Sequence, residues 1–273
     1  MKLSIITINY NNKAGLQKTI DSVICQTWKD FEWIVIDGGS TDGSKELIEQ
    51  YQQHFAYWCS EPDKGVYNAM NKGIAKAKGE YLNFMNSGDC YVNATTLQDV
   101  FSKVLLGDIV AGPVILSDGQ RLYQYQDNYV RLLLCSSLCH QSSFFKRNLF
   151  DNYKYREDFQ IISDWVALVD WLLFEGKFLQ YIDVDVACYD LFGISSNQEE
   201  MMNERNLFLQ ERLGSKIADE LPQLYKKVQY LEGELSIPAI KMLRELYSEQ
   251  PKVFSLFYRL ISLTVKMKNL FQR

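Results

Sequence analysis

Residues 60–89 read SEPDKGVYNAMNKGIAKAKGEYLNFMNSGD, and this stretch decides the fold. It opens on polar punctuation, Ser60 to Gly65, and continues as a helical pattern over residues 66–77, with Gly79 as the residue past the helix end. A short apolar strand follows at residues 81–85, and it delivers the polar turn Asn86-Ser87-Gly88-Asp89. Working outward, residues 3–8 (LSIITI) form a buried strand and residues 16–25 a helix with apolar positions 16, 20, 23 and 24. Residues 32–36 (EWIVI) form a second strand that runs into the glycine-rich turn Asp37 to Gly43; residues 44–51 are helical and 56–59 a short strand.

Strands alternating with helices imply an α/β sheet, mostly parallel, flanked by helices, with ligands outside the carboxyl ends of the strands. The polar clusters all follow strands: Asn9-Tyr10-Asn11-Asn12, Asp37 to Gly43, Ser60 to Gly65, and Asn86 to Asp89. Structural turns use the same residue types, so any one of them is weak evidence. Four on one edge build a site.

The rest of the chain is more mixed. Residues 108–116 and 122–125 read as strands, 140–145 (HQSSFF) as extended, 163–174 (SDWVALVDWLLF) as a helix with Ser163 as its N-cap, and 178–189 as another strand run. From residue 198 onward the pattern is helical. The expected domains are an α/β domain over residues 1–195 and a helical C-terminal extension over 196–273.

Composition sets the bounds. Of 273 residues, 47% are hydrophobic and 14% aromatic, enough for a large core, and 23% are charged, which argues against disorder. A net charge of −5 gives no general reason to expect a nucleic acid partner. Residues 253–273 break the pattern: Arg259, Lys266, Lys268 and Arg273 stand among no acidic residues. Leu256, Phe257, Leu260, Leu270 and Phe271 fall on the opposite stripe of a helix, the arrangement of a helix lying on an anionic membrane surface. The other reading is a helix packed on the body or on a second copy. The six cysteines, Cys25, Cys59, Cys90, Cys135, Cys139 and Cys188, form no C-x-x-C pair and read as buried thiols in a reducing cytosol. No signal-peptide core and no uninterrupted membrane-spanning run is present. The expected location is cytoplasmic, peripheral on the inner membrane.

The order SIITINYNN, WIVIDGGSTDGS, then SEPDKGVYNAMNKGIAKAKGEYLNFMNSGD resembles glycosyltransferase family 2, whose fold is the GT-A (Rossmann-like) fold. The likeness runs through residues 1–195 and is strongest up to Asp89. It implies transfer of a sugar from a nucleotide-sugar, expected to be a UDP-sugar, to a hydroxyl of a glycan or lipid-linked acceptor in polysaccharide biosynthesis. It implies nucleotide contacts from Ile8, Asn9, Tyr10, Asp37, Asp63, Lys64, Ser87 and Gly88. Asn9 and Tyr10 suit the base or ribose, Asp37 a uracil N–H, and Lys64 either a phosphate or only solvent. It also implies Mg²⁺ or Mn²⁺ at Asp89, since hard oxygen ligands suit those ions. Here the turn departs from the family's acidic D-x-D-like motif, because Gly88 stands where many members carry a second Asp. A single carboxylate is expected to bind metal poorly without nucleotide.

On the acceptor side, Ser163-Asp164 resembles the family's pair whose Asp deprotonates the acceptor hydroxyl, which assigns Asp164 as the base of an inverting reaction. Its place in a first helical turn favours the ionised form, and the same place would also serve only to stabilise the helix dipole, by about 0.3–1 kcal/mol. Asp170, on the same helix, is the rival carboxylate. His140 and Gln141 resemble a segment found beside the acceptor, with a structural hydrogen-bonded histidine as the alternative. Cys135, Cys139 and His140 lack a fourth ligand for zinc. A dinucleotide-dependent oxidoreductase would need G-x-G-x-x-G after the first strand, where NYNNKAG stands. A catalytically degenerate GT-A protein that only binds a nucleotide-sugar or a partner is the remaining alternative.

Overall fold

The computed structural model describes residues 1–116, 118–122, 137–189, 197–216 and 218–220. The chain divides into two units, Met1–Gly214 and Ser215–Arg273. The basic stripe of residues 253–273, the end of the 122–125 strand and Cys135 lie outside the described residues.

Seven strands form the main sheet. In chain order they are β1 (Leu3–Asn9), β2 (Phe31–Asp37), β3 (Tyr57–Ser60), β4 (Tyr81–Phe84), β6 (Ile109–Ala111), β9 (Ser143–Lys146) and β10 (Leu179–Tyr181), arranged β10-β6-β9-β4-β1-β2-β3. Helices α1 (Lys13–Ile24), α2 (Ser44–Tyr51) and α3 (Val66–Ile74) connect the first four strands, which are all parallel. The chain winds outward from β1 to β2 and β3, then returns past β1 to β4. The carboxyl ends of β1 and β4 therefore flank a topological switch point, where open α/β sheets bind their ligands. β9 runs antiparallel to both β4 and β6.

Every residue of β1 is buried, and its alternation divides the core. Leu3 and Ile5 pack with Leu16, Ile20 and Val23 of α1 and Leu47 and Ile48 of α2. Ile6 and Ile8 pack on the other face with Tyr67 and Met70 of α3 and Leu168 of α5 (Ser163–Val169). Each fully buried aliphatic side chain contributes roughly 1.5–3 kcal/mol by leaving water. Among the described residues no helix is long and apolar enough to cross a membrane.

Five features differ from the sequence reading, the first being that His140–Ser142 forms a 3-10 turn and only Ser143 onward is extended. The 66–77 helix stops at Ile74, and Gly79 serves packing rather than capping: a Cβ there would lie 2.4 Å from the Ser4 backbone nitrogen. The 108–116 and 178–189 runs are each two strands. Pro113 cannot donate to a ladder, and beside it the chain leaves β6 for β7 (Val114–Leu116). β10 likewise gives way to β11 (Ala187–Tyr189), and β5 (Cys90–Tyr91), β11, β7 and β8 (Arg121–Leu122) form a second sheet. Ser163 is not a cap; its hydroxyl is buried with no partner, and Asp170–Phe174 forms a π-turn after α5. Cys25 is exposed rather than buried.

Candidate active site

The first three polar loops converge on Asp37, the last residue of β2, which lies opposite Asn9 in the parallel register. Its carboxylate is fully buried and its oxygens are both engaged. Oδ1 accepts from Asn9 Nδ2 at 2.7 Å and Ser40 Oγ at 2.6 Å; Oδ2 accepts from Ser60 Oγ at 2.6 Å and the Ser40 N–H at 2.9 Å. Burial alone would raise this carboxyl, but the bonds from Ser40, Ser60 and Asn9 outweigh it and hold it below the usual carboxylate range. A base N–H reaching Asp37 has to displace one of these donors.

Tyr10, 67% exposed, presents a free ring at the end of β1. Gly38 joins it to Asp63: a Cβ on Gly38 would stand 2.6 Å from Asp63 Oδ2 and 3.1 Å from Tyr10 Cδ2. Asp63 also accepts from the Gly65 N–H at 2.9 Å, ordering the loop before α3. Lys64 is exposed and beside Glu157. Ile8 is buried beneath the site, and its carbonyl accepts from the Ser87 N–H at 3.1 Å.

The turn after β4 is clamped from α1. Thr19 Oγ1 accepts from the Gly88 N–H at 3.1 Å and reaches the Asp89 carbonyl at 2.7 Å. Ser87 Oγ donates to Asn9 Oδ1 at 2.7 Å. Gly88 holds φ +105°, a left-handed conformation that disfavours any side chain there. Burial pushes the Asp89 carboxyl up to about 6, against the neighbouring charges of His140 and Lys18, and Gln141 Nε2 approaches its Oδ1 at 3.5 Å. Among the described residues no three His, Cys, Asp or Glu side chains are grouped to hold a metal ion. The donor chemistry at Asp89 is hard oxygen and suits Mg²⁺ or Mn²⁺, but as one carboxylate that fits such an ion only when other ligands come from outside the protein.

Across the sheet edge, Asp164 stands in the first turn of α5. Its Oδ1 accepts from the Trp165 N–H at 2.8 Å and lies 3.0 Å from the Tyr67 hydroxyl; its Oδ2 faces His140 Nδ1 at 3.4 Å. Burial would raise the carboxyl, yet His140, Tyr67 and the Trp165 N–H together hold it below the usual range. Burial would lower His140, and Asp164 more than reverses that. Glu204, on α6 (Gln198–Leu213), grips the entry to this helix by accepting the N–H groups of Gln160, Ile161 and Ile162 at 2.7, 3.0 and 3.3 Å. Asn83, buried in β4, fixes the short 3-10 turn His140–Ser142 by donating to the carbonyls of Gln141 and Ser143 at 3.0 and 2.9 Å. Burial pushes the Cys139 thiol beside that turn up to about 12, which keeps it protonated.

Sequence reasoning missed Thr19, Tyr67, Asn83 and Glu204. Of these only Asn83 left a local signal, as a polar residue inside the apolar run YLNFM.

The family description "Glycosyl transferase family 2" matches residues 4–172. The chain belongs to glycosyltransferase family 2. A PGL/p-HBAD biosynthesis glycosyltransferase of Mycobacterium bovis (strain BCG / Pasteur 1173P2) is 30% identical over 235 residues, covering 82% of this chain and 91% of the relative. Among solved structures, S. aureus TarS 1-349 in complex with UDP-GlcNAc superposes with a TM-score of 0.62 at 17% identity, over 81% of this chain and 70% of that one. This glycosyltransferase spans 42% of a longer TarS chain. The mannosyltransferase PcManGT from Pyrobaculum calidifontis, in complex with GDP-Man and Mn²⁺, gives a TM-score of 0.60 at 16% identity, covering 100% of this chain and 88% of that chain. The expected GT-A fold is therefore the fold of this glycosyltransferase.

Proposed function

We propose that this glycosyltransferase moves a sugar with inversion from a UDP-sugar to a hydroxyl of a glycan or lipid-linked acceptor, with Asp164 as the base. The reading is carried by the state of Asp164: a carboxylate kept ionised in a buried setting, fixed on one oxygen by a backbone N–H. A base must be both deprotonated and aimed, and these contacts favour both. Asp164 takes the acceptor proton as the acceptor oxygen attacks the anomeric carbon. The bond to the diphosphate breaks and its electron pair leaves with UDP, so an α-linked donor gives a β-linked product.

Tyr10 suits stacking on the base, with Asp63 and the Asp37-centred loops beside it. Asp89 would hold Mg²⁺ or Mn²⁺ jointly with the donor diphosphate, and such an ion neutralises charge on the leaving group. UDP is favoured because TarS was solved with UDP-GlcNAc. A lipid-linked acceptor agrees with the basic, apolar-striped sequence 253–273, which suits work at an anionic membrane surface.

Turnover assays with a panel of UDP-sugars, together with UDP calorimetry, test the reading. Asp164→Asn should lose transfer while keeping UDP affinity. Retained transfer in that variant removes Asp164 from the mechanism. UDP binding with no turnover on any donor identifies a binding module instead.

A further inference from the structure

We propose that His140, its ring oriented by Asn86 from the turn that ends in Asp89, is a positioning residue for Asp164. The inference rests on the reading of Asp164 as the base. Three elements meet at one imidazole. Its Nδ1 faces Asp164 Oδ2 at 3.4 Å, and its Nε2 lies 3.0 Å from Asn86 Nδ2, the first residue of the turn that ends in Asp89. Both ring nitrogens are engaged, so the ring plane is fixed from both sides. Its backbone is fixed as well, because Asn83 bonds the carbonyls of Gln141 and Ser143 and is itself oriented by the Tyr91 hydroxyl at 2.8 Å. A histidine that served only packing would not require this much support.

Asn86 adds a second observation. Its Oδ1 is buried with no hydrogen-bond partner. While the amide nitrogen faces Nε2, the ring is the neutral Nδ1–H tautomer, donating to Asp164 and accepting from Asn86. A charged ring carries N–H on both nitrogens, and the amide then has to turn over, which gives Oδ1 the bond it lacks. In either state Nδ1–H points at Asp164 Oδ2. The carboxylate oxygen not held by the Trp165 N–H is thus aimed whatever the charge on the ring.

The remaining titratable groups facing Asp164 are Tyr67 and Tyr155 and, from the His140 side, Cys139; Asp89 faces His140. The test uses His140→Asn and His140→Gln in the full chain. An Asn amide nitrogen takes the place of Nδ1 and still donates to Asp164, whereas a Gln amide takes the place of Nε2 and reaches Asn86 instead. His140→Asn should keep kcat within about threefold, and His140→Gln should lose roughly 10–100-fold, with UDP affinity unchanged in both. In His140→Gln the acidic limb of kcat, measured at saturating donor, should move up by about one pH unit, because Asp164 has lost a donor that favours its ionised form. Equal kcat in wild type and His140→Gln, or a Gln variant better than the Asn variant, overturns the proposal. Asp164→Asn separates the two claims. If it retains turnover, the base assignment has failed; if it abolishes turnover while both His140 variants match wild type, only the positioning role has failed.

Discussion

Arg212 reaches across from α6 and places two nitrogens on Asp170 Oδ1, at 2.7 and 3.1 Å. Tyr153 meets the other carboxylate oxygen at 3.3 Å. The two acidic residues on one helical stretch are thereby separated in role. Asp170 should hold structure and Asp164 should do chemistry. Asp170→Asn is expected to lose about 1 kcal/mol of stability, since Arg212 is partly exposed, and to keep kcat within a few-fold. Chemical denaturation paired with turnover checks this; a large kcat loss in a folded Asp170→Asn protein would falsify the division of labour.

Gly88 sets the metal question at the level of backbone. A side chain there has room, with Asn12 Nδ2 at 3.6 Å, but not a favourable φ. Gly88→Ala and Gly88→Asp should both cost about 1–3 kcal/mol from strain alone. Adding a carboxylate by Gly88→Asp should therefore give no gain in Mn²⁺-dependent UDP binding, whereas Asp89→Asn should abolish that dependence. Calorimetry of UDP with and without Mn²⁺ reads both. Stronger metal-linked binding in Gly88→Asp would show that the turn relaxes easily, and Mn²⁺ dependence surviving in Asp89→Asn would take that carboxylate out of the metal site.

Asp37 gives the pH dependence. Its folded pKa lies below the ordinary 3.8. Its contribution to stability is present in full above that ordinary value and is lost as pH falls through the lower, folded value. Wild type should thus lose stability as pH drops below about 4, and part of that slope should vanish in Asp37→Asn, which should also be less stable at pH 7 because an amide cannot accept from all four donors. Urea unfolding between pH 3 and 7 measures the two slopes; identical slopes would mean that Asp37 is not a source of the acid sensitivity.

The first half of the fold was legible because each strand there is a short apolar run closed by its own punctuation. Residues 3–89 could be read as β1 to β4 with their helices, and the polar loops fell on one edge as expected. The second half hid its joints. The runs 108–116 and 178–189 stay apolar across the points where the chain changes sheet, and hydrophobicity is the same on either side of such a crossing. In the candidate site, Tyr10, Asp63 and Asp89 lie in polar loops that follow strands, a pattern visible in the sequence, while the roles expected of them rest on the family resemblance. Thr19, Tyr67 and Glu204 gave no such signal, because a helix residue that reaches a loop dozens of positions away leaves no trace in its own neighbourhood. The role of Gly88 was half visible: the missing carboxylate was plain, while the left-handed backbone that accompanies it emerged only in three dimensions.

The antiparallel placement of β9 against β4 couples the two halves of the candidate site. The strands under the donor loops all precede residue 90, the proposed base follows residue 160, and the two stretches are joined in the sheet through the pairs Tyr81↔Lys146 and Leu82↔Phe145. Beyond those two pairs the stretches interlock through side chains, with Ile6 and Ile8 sharing a core with Leu168 and the Tyr67 hydroxyl meeting Asp164 at 3.0 Å. A change in one stretch is therefore felt in the other, and paired substitutions across β9 should be non-additive.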